Sequence, residues 1–437
     1  MTMPPQNTVP PPASTRKLAG LEHAMRITEE HTPFSVVAVL RLAGDLSPAA
    51  LRRALDTLQQ RHPLLRARIL PAGKEYAFHF DAERPIALDV GERPPADGWI
   101  AVAQEEMQRR LDMTAGPLAR CRYLAGPSGG DLIFTLHHTI ADGVSGVHLF
   151  RELLALCAGQ PLDEPPDRDE GQVPAAGLFP DDYTGLGYTL AAAGFMRRQM
   201  ADEMAFRWGS IGVRKAPIAA AGRCCFLPIR FGAEITNALI QASRRHRVTL
   251  NAILSAGMLM AVQRQLYPSP RVPLRHIVFA DLRPRLRRDV PASALGCFLT
   301  MYRFTTTVEA TRDFWSFAGD VQDSTMRAAR SSERYMAYAM SPGMMKMLFR
   351  MKAFRMGATA LSYTGPLTLP TDYGRFEVTG LHAFAGNMTL GPEYSALVRL
   401  FRGELWWDIL YLDSDMDAAG AQRIAHEMQA ILEGATC

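Results

Sequence analysis

The chain reads as an α/β protein of two lobes, and three observations predict this. Strand-like and helix-like segments alternate through both halves. A stretch between residues 159 and 180, rich in Pro, Asp and Gly with little periodicity, separates the halves as a linker or exposed excursion. The 437 residues also exceed one domain of roughly 150 residues. The expected organisation is a disordered Pro-rich leader over residues 1–16, an N-terminal lobe over 17–180 and a C-terminal lobe over 181–437.

Residues 34–42 are apolar and β-branched and predict a strand. Ser47-Pro48 follows, a helix cap with Pro at the first helical position, and Leu51, Leu55 and Leu58 then recur on one helical face. Residues 75–80 alternate as a strand, 98–112 read as a helix, and 117–124 and 131–138 as two strands joined by a Gly turn. The loop over 139–145 leads into a helix whose apolar positions Val147, Phe150, Leu154 and Cys157 share a face. Beyond the linker come a long helix near 186–208, a strand near 225–231, and helices from Glu234 and from Thr249. Strands near 276–281 and 298–306, a helical region over 311–354, four C-terminal strands and a closing helix over 417–432 complete the reading. Arg402-Gly403 is the expected turn of a hairpin between the last two strands.

Composition narrows the function classes. Hydrophobic residues make up 48% and charged residues 21%, an ordinary globular balance. The net charge of +4 does not point to nucleic acid, and no apolar run reaches the ~18 residues of a membrane span. The first residues lack the apolar core of a secretory signal, so a cytoplasmic protein is expected. Six scattered cysteines without a C-x-x-C pair read as buried thiols and not as zinc ligands or a redox couple.

The chemistry concentrates in LHHTIADGVSG, residues 136–146. Neighbouring strand residues face opposite ways, so His137 and His138 do not serve one small site together, and a zinc reading lacks a third ligand. Ser145 is followed by one residue too few for the G-x-S-x-G nucleophile turn. What remains is one histidine where strand becomes loop, Asp142 four residues on and Gly143 permitting a tight path, which suits a general base. The competing reading is structural: two histidines end a half-buried strand and Asp-Gly marks a turn.

The string His137-His138-Thr139-Ile140-Ala141-Asp142-Gly143 resembles the HHxxxDG motif of the condensation-domain superfamily. That superfamily includes nonribosomal-peptide condensation domains, polyketide-associated O-acyltransferases and, more distantly, wax ester synthases and chloramphenicol acetyltransferase. Residues 111–124, 249–262 and 280–304 extend the resemblance over most of the chain. It implies a two-lobed fold, a pseudo-dimer of chloramphenicol-acetyltransferase-like subdomains with an interlobe tunnel. It also implies His138 as the catalytic histidine, Asp142 ion-paired with Arg283, Gly143 allowing close approach of the donor, and His137 as a supporting residue facing away. The implied activity is acyl transfer from an acyl-phosphopantetheine on an acyl or peptidyl carrier protein, or from a coenzyme A thioester, to a small-molecule alcohol or amine. No metal, bound cofactor or covalent acyl-enzyme is expected. A wax-ester or glycolipid acyltransferase using acyl-coenzyme A, and a non-catalytic carrier-protein-binding scaffold, are the competing readings.

Two departures stand out. The DFGWG string of the plant branch is replaced by residues 382–392, HAFAGNMTLGP, where Asn387 is a candidate acceptor contact or a plain polar loop residue. The Ser-Asn-x-Gly string reads Ser362-Tyr363-Thr364-Gly365. Beyond the motif, Arg285, Arg287 and Arg288 are candidates for docking the donor, against the alternative of a solvated charged face. Residues 336–356 hold seven of the 22 methionines. Either they pack an ordinary core, or they line a site for a long acyl chain, or, with the interleaved Lys and Arg, they meet a membrane surface.

Overall fold

Three β-sheets organise the chain in the computed structural model, which describes residues 15–162, 170–210, 222–351, 355–386 and 390–436. The first stretch runs β1 (Thr15–Lys17), α1 (Leu21–His31), β2 (Ser35–Gly44), α2 (Pro48–Arg61), β3 (Arg68–Ala72), β4 (Glu75–His79), β5 (Ala87–Glu92), α3 (Trp99–Gln108), β6 (Ala119–Gly126), β7 (Gly129–His137) and α4 (Gly143–Cys157). Two short 3-10 turns lead to α5 (Gly185–Gly209), β8 (Cys224–Phe231), α6 (Ala233–His246), α7 (Leu250–Leu266), β9 (Arg271–Asp281) and β10 (Leu299–Glu309). Then come α8 (Phe314–Arg330), α9 (Glu333–Ala339), α10 (Ser341–Arg350), β11 (Thr359–Pro366), β12 (Phe376–Ala385), β13 (Tyr394–Phe401), β14 (Glu404–Leu412) and α11 (Ala418–Gly434).

The N-terminal sheet has the order β12-β2-β7-β6-β5 and the C-terminal sheet β10-β9-β11-β13-β14-β8, with a small sheet β1-β4-β3 beside the first. Alternation decides what each face meets. In β2, Ala38, Leu40 and Leu42 face α2 and α4, whose Leu51, Leu55, Leu149 and Leu153 fill one core, while Val37 and Val39 turn toward Trp99 and Met107 of α3. In the C-terminal sheet, Val272, Leu274, Val278, Ala396 and Val398 pack under α7, α8 and α11. Their neighbours Ile277, Phe279, Ser395 and Leu397 point the other way and line a cavity. The turn at Arg402-Gly403 has positive φ at both residues (53° and 80°), the geometry a two-residue hairpin demands.

The spatial lobes do not follow the expected division at residue 180. The late strand β12 lies antiparallel to β2, with Phe376 opposite Gly44 and Ala385 opposite Val36, and completes the N-terminal sheet. An unpaired β2 edge would leave a row of backbone donors and acceptors open, and a strand from far downstream satisfies it. Thr15 and Arg16, placed in the leader by composition, belong to β1 and pair with His79 and Phe78. The stretch read as a linker or exposed excursion is in part interior: Glu170, Ala175, Leu178 and Phe179 are all buried. Its few apolar residues insert beside Tyr335 and Tyr338, which average composition conceals. The helical region over 311–354 breaks into α8, α9 and α10, at Ser331-Ser332 and again just before Pro342.

Helix α1 carried no assignment in the sequence. Its buried side mixes the apolar Leu21, Ala24, Met25 and Ile27 with Glu22, Arg26, Thr28 and Glu29, so the apolar stripe is short and interrupted by charge. Among the described residues no helix is long and apolar enough to cross a membrane.

Candidate active site

The motif straddles the end of β7 and the start of α4. Asp142 is the N-cap of α4: one carboxylate oxygen accepts the Ser145 N–H at 2.9 Å and its hydroxyl at 3.0 Å, and Ser145 Oγ accepts the Asp142 N–H at 3.2 Å. This reciprocal capping box occupies Ser145 structurally. The other Asp142 oxygen accepts from Arg283 Nη1 and from the Phe298 N–H, each at 2.9 Å. Arg283 sits on a 3-10 turn after β9, also donates to Asp281 (3.2 Å) and to the Ala294 carbonyl (3.1 Å), and lies over the Phe298 ring. Burial alone would raise the Asp142 carboxyl, but the Arg283 charge and the surrounding N–H groups hold it below its ordinary value. The ion pair expected between residues 142 and 283 is therefore present, and it ties the motif loop to the C-terminal half of the chain.

The two histidines part as strand alternation requires. His137 is wholly buried; its Nδ1 meets Thr139 Oγ1 at 2.8 Å, and its Nε2 lacks a hydrogen-bond partner 3.9 Å from Glu29. Burial, helped by His138 and Arg26, lowers its pKa to about 3, so it is neutral. His138 lines the cavity instead. Its Nδ1–H donates to the Ala141 carbonyl at 2.9 Å, and because a carbonyl only accepts, the proton is on Nδ1 and Nε2 keeps its lone pair. Burial pushes this imidazole below the ordinary histidine value as well. A neutral ring with a fixed tautomer can take a proton from a hydroxyl or amine. Gly143 is exposed at the first position of α4; a Cβ there would stand 3.6 Å from Thr364 Cγ2 in β11.

Three neighbours gave no signal in the sequence. Phe34, just before β2, stacks on His138 with ring centroids 5.9 Å apart and planes 19° apart. Glu29 of α1 accepts the Phe34 N–H and so sets that ring. Phe298 supplies the backbone N–H to Asp142. Of the other candidates, Arg287 already meets Asp181 (3.4 Å) and the Gly177 carbonyl (3.0 Å), Arg285 is exposed, and Arg288 is half-buried. The three lie on the segment beginning at Arg283 and do not line the cavity. Asn387 lies outside the described residues. Among the described residues no group of three or more His, Cys, Asp or Glu has the arrangement of a metal site.

The cavity beside His138 has a volume of about 540 Å³. Its walls come from α1, α5 and α9–α10, and its floor from the face of the C-terminal sheet that is turned away from α7. Met344, Met345, Met347, Met351 and Met356 all line it, so most of the methionine-rich stretch is cavity wall, while Met336 is core.

Residues 24–169 match the Condensation domain family, and residues 222–383 match the C-terminal family of phthiocerol/phthiodiolone dimycocerosyl transferases. The chain is 34% identical over 151 residues to phosphinothricin tripeptide synthetase PhsC of Streptomyces viridochromogenes, covering 32% of this chain but only 14% of that synthetase. It is 25% identical over 319 residues to the phthiocerol/phthiodiolone dimycocerosyl transferase of Mycobacterium leprae, covering 70% of this chain and 72% of that enzyme. The fold is shared with the trichothecene 15-O-acetyltransferase TRI3 of Fusarium sporotrichioides, with a TM-score of 0.76 at 11% identity over 96% of this chain and 95% of that one. With its motif half matching condensation domains and its second half matching polyketide-associated acyltransferases, the chain belongs to the condensation-domain superfamily.

Proposed function

We propose that the chain is a thioester-dependent acyltransferase with His138 as its general base. In the step envisaged, an acceptor hydroxyl or amine attacks the thioester carbonyl and His138 Nε2 takes the proton released. The new C–O or C–N bond forms as the C–S bond breaks, and the proton passes to the departing thiolate. Bond and proton counts balance without a covalent acyl-enzyme, because the thioester is already activated. The enzyme then has to orient two substrates and place a base between them.

The observation carrying this reading is the state of His138: a buried, neutral ring, tautomer held by Ala141, on the wall of a substrate-sized cavity. The relatives support the class of reaction, since one printed name is a dimycocerosyl transferase and another an acetyltransferase. Donors in this reading are acyl-phosphopantetheine on a carrier protein or acyl-coenzyme A, and acceptors are small alcohols or amines. The exposed Arg285, with Arg287 and Arg288, would meet phosphate or an acidic carrier surface. The test offers carrier-bound and coenzyme A thioesters with a panel of alcohols and amines and reads products by mass spectrometry. An ester or amide formed from at least one pair supports the reading, and no product from any pair refutes it. Reversing Arg285, Arg287 and Arg288 to Glu is expected to raise KM for the donor; an unchanged KM removes these residues from docking.

A further inference from the structure

We infer that the cavity beside His138 is a subsite for a long, flexible, unfunctionalised alkyl chain, which lies along helix α5 toward the outside. The inference rests on the acyl-transfer reading only in taking His138 to mark the reacting end.

Ten of the lining residues are methionine, contributed by α1, α5, β10, α10 and the segment after α10. Methionine is unbranched and polarizable, so a wall built from it adapts to a mobile apolar guest and offers no fixed hydrogen bond. The charged groups on the wall are engaged with protein partners. Glu203 pairs with Arg207 at 2.6 Å, Gln199 accepts from Arg303 at 2.8 Å, and Gln199 Nε2 donates to Glu333 at 3.2 Å. A ligand with polar groups along its length would have to break these contacts, whereas an alkyl chain leaves them intact.

Helix α5 supplies the second, independent observation. It is 25 residues long, yet Phe195 is the only described residue of it that is buried. Its seat on the C-terminal sheet is polar: Glu203 meets Arg275, and Asp202 accepts the Thr305 N–H at 2.9 Å. Met196, Met200, Met204 and Trp208 recur every four residues, one face of a helix, and they are 40%, 64%, 54% and 70% exposed. The three methionines of this row line the cavity, and Met347 and Met351 face it at 52% and 41% exposure. An apolar stripe of this extent left in water marks a binding surface. Its continuity with the cavity assigns the occupant as the outer part of the same chain.

Donor and acceptor could each carry such a chain, and the experiment separates them. Binding of n-alkanols of increasing length to the full chain, followed by calorimetry, is expected to tighten about fourfold per added methylene until the groove is full. In turnover, one arm varies the acyl length with a short alcohol, and the other varies the alcohol length with an acetyl donor. The arm whose kcat/KM climbs with length identifies the carrier of the chain. Met200→Glu and Met347→Glu, both at exposed positions, are expected to lower the ratio of long-chain to short-chain kcat/KM about tenfold or more by placing a charge in the chain's path. Length-independent alkanol binding overturns the inference, as does an unaltered ratio in both variants. Binding of neutral phospholipid vesicles with no response to free alkanols also overturns it, since the stripe would then serve a membrane surface. Length-dependent alkanol binding in a protein that transfers no acyl group sustains the subsite and refutes the chemistry. His138-dependent turnover with a flat length profile does the reverse.

Discussion

The Asp142–Arg283 pair is the joint on which the motif loop depends, and its removal has a calculable cost. The side chains are 3% and 4% exposed, and Asp142 accepts four hydrogen bonds: two from Ser145, one from Arg283 and one from Phe298. Asp142→Ala leaves the buried guanidinium with only Asp281 and the Ala294 carbonyl, a loss toward the lower end of the about 3–5 kcal/mol for breaking a buried pair, and removes a helix cap worth about 1 kcal/mol. Against a total stability of about 5–15 kcal/mol, that is a large fraction. Arg283→Met strands the carboxylate instead, although the Ser145 and Phe298 N–H groups still satisfy it, so its loss falls at the lower end of the same range. The double variant Asp142→Ala/Arg283→Met leaves only the partly exposed Asp281 without its cation and is expected to lose less than the two single losses added together. Urea unfolding followed by far-UV circular dichroism measures all four proteins, with shifts in midpoint at constant slope read as stability. Single variants within about 1 kcal/mol of wild type, or losses that simply add, would refute the claim that a buried ion pair anchors the loop.

Other outcomes follow from the same geometry. Gly143→Ala is expected to leave the unfolding midpoint nearly unchanged, because its φ is ordinary and the nearest atom to the new Cβ is 3.6 Å away, while lowering kcat/KM if the donor passes there; a stability loss above about 1 kcal/mol would contradict the first part. Because burial depresses the His138 pKa, the acid limb of kcat/KM is expected to have its midpoint below the ordinary ~6.5, with activity level at neutral pH; a midpoint above that value would show a different titrating group. His62 donates from both ring nitrogens, to Glu170 and Glu152, each at 2.8 Å. Burial by itself would lower its pKa, but the two carboxylates raise it to about 9. A folded-state pKa above the unfolded one stabilises the fold fully below ~6.5 and is lost as pH rises through about 9. Wild type is therefore expected to lose up to ~3 kcal/mol over that window, and His62→Gln to show a flatter profile; parallel profiles would remove the charged imidazole from the account.

Local pattern made much of this protein legible. Alternation separated His137 from His138, Ser47-Pro48 and Thr249 marked helix starts whose caps are formed, and Arg402-Gly403 marked its hairpin. What stayed hidden depends on contacts distant in sequence. No local feature of residues 376–385 says that they join β2, because alternation identifies a strand but not its neighbour. Helix α1 is the exception, hidden for a local reason: Glu22, Arg26 and Glu29 interrupt the apolar Leu21, Ala24, Met25 and Ile27 on its inward side, and their partners Arg16, Glu30 and the Phe34 N–H all lie within six residues. The methionines of α5 are an intermediate case. They recur every four residues along the helix, but spacing alone does not distinguish a stripe that meets a core from one that faces a cavity; the C-terminal sheet beneath it makes it a cavity wall.

In the proposed reaction one imidazole accepts the acceptor's proton while the acyl group moves directly between substrates. Single-turnover transfer by wild type and by His138→Ala, with the intact protein mass recorded during the reaction, tests it most directly. A rate loss of about 10²-fold or more is expected in the variant, with its fold unchanged by circular dichroism and no mass gain in either protein. Equal rates in the two proteins, or an acyl adduct on the wild-type chain that decays as product forms, would contradict it.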